Sequence, residues 1–92
     1  MNRSELVSTV AARMPGMSKL EIDRVLGLTI EEIRRALIEG ENVALRDLAT
    51  FELRSRKARK GRNPSTGEEV QIPAYKYVGM RTSASLRKEI KS

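Results

Sequence analysis

Ninety-two residues with no cysteine and no histidine make one small domain that lacks a disulfide, a thiolate metal site and an imidazole base. A chain this short buries only about 60% of its unfolded surface, so its own core is marginal. The net charge of +6 is lopsided: residues 1–53 hold seven basic and nine acidic side chains, residues 54–92 eleven and three. A near-neutral half joined to a basic half points to a scaffold holding out a polyanion-binding surface, against the plainer reading of a soluble basic protein.

Asn2 and Glu5 stand at capping-box spacing, and Leu6, Val7, Val10, Ala11 and Met14 follow at helical intervals. Pro15 disfavours helix at Met14 and Gly16 suits a reversal, so the first helix is predicted over residues 3–13. Ser18 and Glu21 form a clearer capping box. Ile22, Val25, Leu26, Ile30, Ile33 and Leu37 then make one stripe, and Gly40 closes a second helix over 19–39. Two helices joined by a short turn form a hairpin whose apolar side must be covered.

From Val43 the period changes to two, with Val43, Leu45, Ala49, Phe51 and Leu53 alternating with mostly polar residues and Asp47 interrupting. The pattern predicts two short strands with a turn near Asp47–Leu48. The second strand continues through Arg54–Lys60 to Asn63-Pro64 and returns over Glu69–Met80. A short final helix follows over 83–91, capped by Thr82 or Ser83. Residues 54–74 hold few large apolar side chains, so this hairpin projects as a two-stranded ribbon, which is marginal in water without a ligand. The smaller body left behind gains much from a second copy. There are no repeats or linkers. Apolar runs are only a few residues long, and MNRSELVSTV has neither the basic nor the apolar segment of a signal peptide, so a cytoplasmic protein with no membrane partner is expected.

Arg54, Arg56, Lys57, Arg59, Lys60 and Arg62 follow one another with no acid between them. Charges this dense repel one another unless an anion lies among them, and arginine suits phosphate oxygens or groove edges that need a planar fork. A solvated charge run or a sorting signal is the plain alternative. Pro64 shapes a turn on any reading. At the apex of a basic ribbon its rigid exposed ring also has the form of a wedge for a base step. Gly61 and Gly67 bracket the tip, but no Gly-Lys-Ser/Thr follows and Glu68-Glu69 would repel a nucleotide. Glu31–Glu32 and Glu68–Glu69 have no pocket to split their pKa values. No catalytic residue, metal ligand or cofactor is expected, and the protein reads as no enzyme.

With those residues in view, the chain resembles the bacterial HU/IHF family of histone-like DNA-bending proteins. The resemblance runs nearly end to end and is carried by MNRSEL at 1–6, Thr50-Phe51, RKARKGRNP at 56–64, Thr66-Gly67, Ile72-Pro73-Ala74 and Leu86-Arg87. It implies an α+β fold: an N-terminal helical hairpin, an antiparallel three-stranded sheet with a long protruding β-ribbon arm, and a short C-terminal helix, in an intertwined dimer. By region it implies a dimerisation hairpin at 1–40, a sheet at 41–82 with its arm at about 54–75, and a C-terminal helix at 83–92. Dimer-core positions are Leu37, Leu45, Leu48, Phe51 and Met80. A homodimer is expected, and a heterodimer with a sister subunit is the variant.

The family embraces double-stranded DNA in the minor groove with two arms whose tip prolines intercalate, favouring bent, nicked or kinked forms and serving nucleoid organisation. Residues alone leave the major groove open, since it also admits a ribbon. Carried over by position, arm contacts are Arg54, Arg56, Arg59, Arg62, Asn63 and Pro64, with Lys57 and Lys60 as helpers. Body contacts are Arg3, Lys76, Arg81 and Arg87. The alternative in another class is a structure-selective polyanion binder acting on RNA or DNA junctions. With Phe51, Tyr75 and Tyr77 its only aromatics, the chain is poorly equipped to read RNA bases.

The departures matter too. Asp47-Leu48-Ala49 stands where the family has Gly-Phe-Gly, so the turn is expected to differ. Met80 replaces a phenylalanine and Val78 a proline. Glu68 replaces a tip lysine and Ala84 a basic residue, which removes phosphate contacts at both places.

Overall fold

The computed structural model describes residues 1–91. They divide into two compact units, Met1–Arg35 and the chain from Ala36 onward.

The first unit contains helix α1 (Arg3–Ala12) and most of helix α2 (Lys19–Ile38). Asn2 caps α1, its Oδ1 accepting from the Glu5 amide at 2.9 Å. An oxygen in that position satisfies one of the four amides that a helix start leaves unpaired, worth about 1 kcal/mol. At α2 the capping box is reciprocal: the Glu21 amide donates to Ser18 Oγ at 3.1 Å, and the Ser18 amide donates to Glu21 Oε1 at 3.3 Å. The C-terminal end of α2 is a Schellman turn in which Glu41 N bonds Ala36 O at 2.9 Å and Gly40 N bonds Leu37 O at 3.1 Å. Gly40 takes φ +96°, a conformation open to glycine at no steric cost. Each helix ends one residue before its expected last residue, within the fraying of any helix end.

The second unit is built on a three-stranded antiparallel sheet in the order β1-β2-β5, from β1 (Val43–Leu45), β2 (Ala49–Arg56) and β5 (Tyr75–Thr82). A second pair, β3 (Arg59–Arg62) with β4 (Glu69–Ile72), lies between β2 and β5 in the chain. The two ladders share one register. Arg56 pairs with Tyr75, and stepping three residues along each strand gives the next observed pair, Arg59 with Ile72. The sequence expectation of one ribbon from the sheet to the tip therefore holds, with a break at Lys57-Ala58 and Pro73-Ala74. Its cause is chemical: Pro73 falls opposite Ala58 in that register and has no amide to donate. No bulge is needed, so no side chain changes face.

The β1–β2 turn is closed by Leu48 N to Leu45 O at 3.1 Å. Asp47 sits there at φ +64°, in the left-handed region. Asp tolerates that region better than most residues, although glycine would enter it at no steric cost. Ser83 N bonds Leu48 O at 2.9 Å and fastens the end of β5 to this turn. Ser83 then caps helix α3 (Ala84–Lys91), its Oγ accepting from Leu86 N at 3.1 Å. Of the two candidate caps, the side chain is that of Ser83.

Among the described residues only three apolar side chains are buried below a tenth of their surface, Val7 and Ile22 in the first unit and Ala49 in the second. Within the first unit, Val7, Val10, Met14, Ile22, Val25 and Leu26 line an open apolar hollow of about 390 Å³. Among the expected dimer-core residues Leu37, Leu45 and Phe51 are half-buried, while Leu48 and Met80 are more than half exposed. No helix among the described residues is long and apolar enough to cross a membrane.

Candidate nucleic-acid interface

Strand periodicity sorts the second unit into two faces. Ala49, Phe51 and Leu53 share one side of β2 and stand opposite Thr82, Met80 and Val78. The other side carries Thr50, Glu52, Arg54 and Arg56 opposite Arg81, Gly79, Tyr77 and Tyr75. The first set is almost wholly apolar. The second holds three arginines and one carboxylate.

On that charged face the arginines are arranged by their neighbours. Glu52, the least exposed charged partner there, reaches Arg81 at 3.1 Å and Arg54 at 3.6 Å. Arg54 lies across the buried Gly79, where any Cβ would run into its guanidinium. Arg56 places its guanidinium carbon 5.7 Å from the centre of the Tyr77 ring, within cation–π range. Farther out the order is different. Among the described residues no carboxylate lies within ion-pair distance of Lys57, Arg59, Lys60 or Arg62. Those cations are exposed, with water as their only alternative to an anion.

The ribbon closes in a compact tip. Asn63 N donates to Glu68 O at 2.8 Å and Gly67 N to Asn63 O at 2.7 Å. The Asn63 side chain accepts from Ser65 N at 2.9 Å in an Asx turn, and Gly67 takes φ +75°. Between these bonds Pro64 is exposed at the apex. Asn63 is thus the residue that shapes the tip, and Glu68 contributes to it through its backbone carbonyl.

In the first unit Arg3 is engaged, with Nε 2.9 Å from Asp23 Oδ1 and a second bond to the Asp23 carbonyl at 3.1 Å. Both side chains remain about half exposed, so the pair is weak and exchangeable. Lys76 and Arg87 are exposed, and Arg87 lines a shallow cleft with Arg81, Arg46 and Ser83. Sequence reasoning missed Glu52 and Gly79 entirely. Their importance depends on cross-strand register, which the spacing of residues along one strand does not reveal.

The family model for bacterial DNA-binding proteins matches residues 1–91. The chain belongs to the HU family of bacterial DNA-binding proteins. It is 40% identical to the DNA-binding protein HU of Geobacillus stearothermophilus over 91 residues, 99% of this chain and all of that one. It is 41% identical over 92 residues to the SPbeta prophage-derived DNA-binding protein HU 2 of Bacillus subtilis, 100% of this chain and 99% of that one. Among solved structures, the cocrystal of Anabaena HU with DNA superposes with a TM-score of 0.83 at 38% identity, covering 98% of this chain and 97% of that chain. Within the HU family this chain has the three-stranded sheet, the two-stranded ribbon and the C-terminal helix described above.

Proposed function

We propose that this HU-family protein is an architectural DNA-binding protein, a homodimer whose two ribbon arms lie in the minor groove and bend the duplex as Pro64 enters a base step. One observation carries the reading: Pro64 stands exposed at the apex of a tip tied by Asn63, at the end of a row of cations with no acid partner among the described residues. The cations bring the tip to phosphate, and the pre-formed turn presents the ring without further ordering. Arg54, Arg56, Arg59 and Arg62 hold the arm with help from Lys57 and Lys60, while Arg3, Lys76, Arg81 and Arg87 take phosphates on the body. Contacts of this kind carry little base information, so binding is largely independent of sequence and acts in nucleoid organisation.

The second copy is supported by how little the single chain buries. A body with three well-buried apolar side chains falls short of a stable core, and the hollow of the first unit is lined almost only by apolar side chains. Sedimentation is expected to show a dimer at micromolar concentration; a stably folded monomer there would remove this part of the reading.

The wedge is tested by Pro64→Ala. Unstacking one step costs about a few kcal/mol, recovered through the surface that a bent duplex brings to the protein. The variant keeps its arginines, so it is expected to bend linear DNA less while losing much less affinity. It should lose least on nicked or mismatched duplexes, where part of the unstacking is already done. Fluorescence transfer between the ends of a short saturated duplex measures the bend. Bending equal to the parent's would reduce Pro64 to a turn former.

A further inference from the structure

We infer that Tyr75 and Tyr77, with Arg56, form a stacking site for an unpaired nucleobase at the root of the arm. This rests on the nucleic-acid reading above and adds a ligand to it: a base that has left the duplex stack.

The geometry is specific. Tyr75 and Tyr77 are two apart on β5 and so share a face, and Arg56 pairs with Tyr75 across the ladder. The rings lie 6.0 Å apart and tilted by 49°, while the Arg56 guanidinium carbon sits 5.7 Å from the Tyr77 ring centre. Tyr77 thus has Arg56 near its ring and is half-buried, and Tyr75 remains 45% exposed. The rings are too close and too tilted for a base to slide between them. The open surface is that of Tyr75, backed by Tyr77 and flanked by cations.

An aromatic pair with one ring open to water, on a face that also carries three arginines, suits a base. Every base offers a π-face, and base–aromatic stacking needs no hydrogen-bond code, so the site is indifferent to sequence. Arg56 serves it twice, as a cation near the backbone phosphate and as a planar group against the aromatic cluster. The wedge at Pro64 acts on paired, stacked DNA. The tyrosines act on a base already extruded, so the two sites answer to different features of a damaged or kinked duplex.

The chain has no tryptophan and no tyrosine besides these two, so intrinsic tyrosine fluorescence reports on this site alone. The full chain is titrated with three duplexes of one sequence: fully paired, with one extrahelical thymine, and with an abasic residue in place of that thymine. The expected result is binding to the thymine duplex about fivefold tighter than to the abasic one, with additional tyrosine quenching. Tyr75→Leu should erase that ratio while leaving fully paired binding unchanged, and Tyr75→Phe should preserve it. Equal affinity of the parent for the thymine and abasic duplexes would overturn the inference. So would a Tyr75→Leu variant that weakens all three duplexes equally. Neither result touches the bending by Pro64, which is read separately on paired DNA.

Discussion

The root and the outer half of the ribbon are two stretches of the same strand pair in the same register, yet they treat arginine in opposite ways. At the root, Arg54 and Arg81 share Glu52 and Arg56 lies by Tyr77. In the outer half Arg59, Lys60 and Arg62 have no such partner among the described residues. The root holds its cations in a fixed arrangement, and the outer half leaves them to the solvent. The lesson is that a count of basic residues does not measure phosphate affinity. A cation taken from a carboxylate exchanges one anion for another, whereas a solvated one releases a counterion from the DNA.

The largest effect that sharpens this contrast is in the outer half. Arg59→Ala with Arg62→Ala is expected to lower the slope of log K against log salt by about two units and to weaken all duplexes similarly. Salt titrations on two unrelated sequences check it, and an unchanged slope would place those arginines outside the phosphate contacts. The next effect comes from the root. Glu52→Gln removes the competing anion, so affinity is expected to rise a few-fold at low salt and the slope to steepen towards that of a free cation. A weaker complex would instead assign Glu52 the task of aiming its two arginines.

Smaller again is Gly79→Ala, whose Cβ displaces the Arg54 guanidinium. Because only the end of a flexible side chain must move, the stability cost should stay below about 0.5 kcal/mol while affinity falls about twofold. Thermal melts beside binding isotherms separate the two. Asp47→Gly relieves a left-handed aspartate and is expected to stabilise the fold by about 0.5 kcal/mol with no change in DNA affinity. The smallest effect lies on α2. Arg35, bonding Glu32 at 2.8 Å, holds the exposed Glu32 carboxyl below its usual range. A depressed folded-state value stabilises at pH above the unfolded value, and that contribution disappears as pH falls through the folded one. Glu32→Gln should abolish this slight acid sensitivity, seen as overlapping melts of parent and variant only at low pH.

Most of the architecture was legible because it is written in local chemistry. Asn2, Ser18 with Glu21, and Gly40 mark helix ends through bonds made within a few residues, and the change of period at Val43 marks the sheet. Ser83 was one of two neighbours able to cap α3, and only the backbone direction leaving β5 decides between them. The candidate site was half legible. Asn63 and Pro64 announce a tip, and the basic run announces its ligand. Glu52, Gly79 and the pairing of Arg3 with Asp23 were not readable, since each depends on which residue faces which across a strand or helix pair. Pro73 was in plain view, but its effect on the ladder became clear only once Ala58 stood opposite it. Asp47 marked a turn in the sequence, but its left-handed backbone is visible only in the structure.

A two-stranded ribbon beyond the body has two open edges, each a row of amides and carbonyls without a third strand. Such edges are what crowded β proteins use to zip together into aggregates. Here the side chains along β3 are positive at three of its four positions. Two arms that approach through their β3 edges must first bring these charges together, at a distance where water screens poorly. The same positive row that attracts a polyanion therefore opposes the pairing of one β3 edge with another until DNA neutralises it.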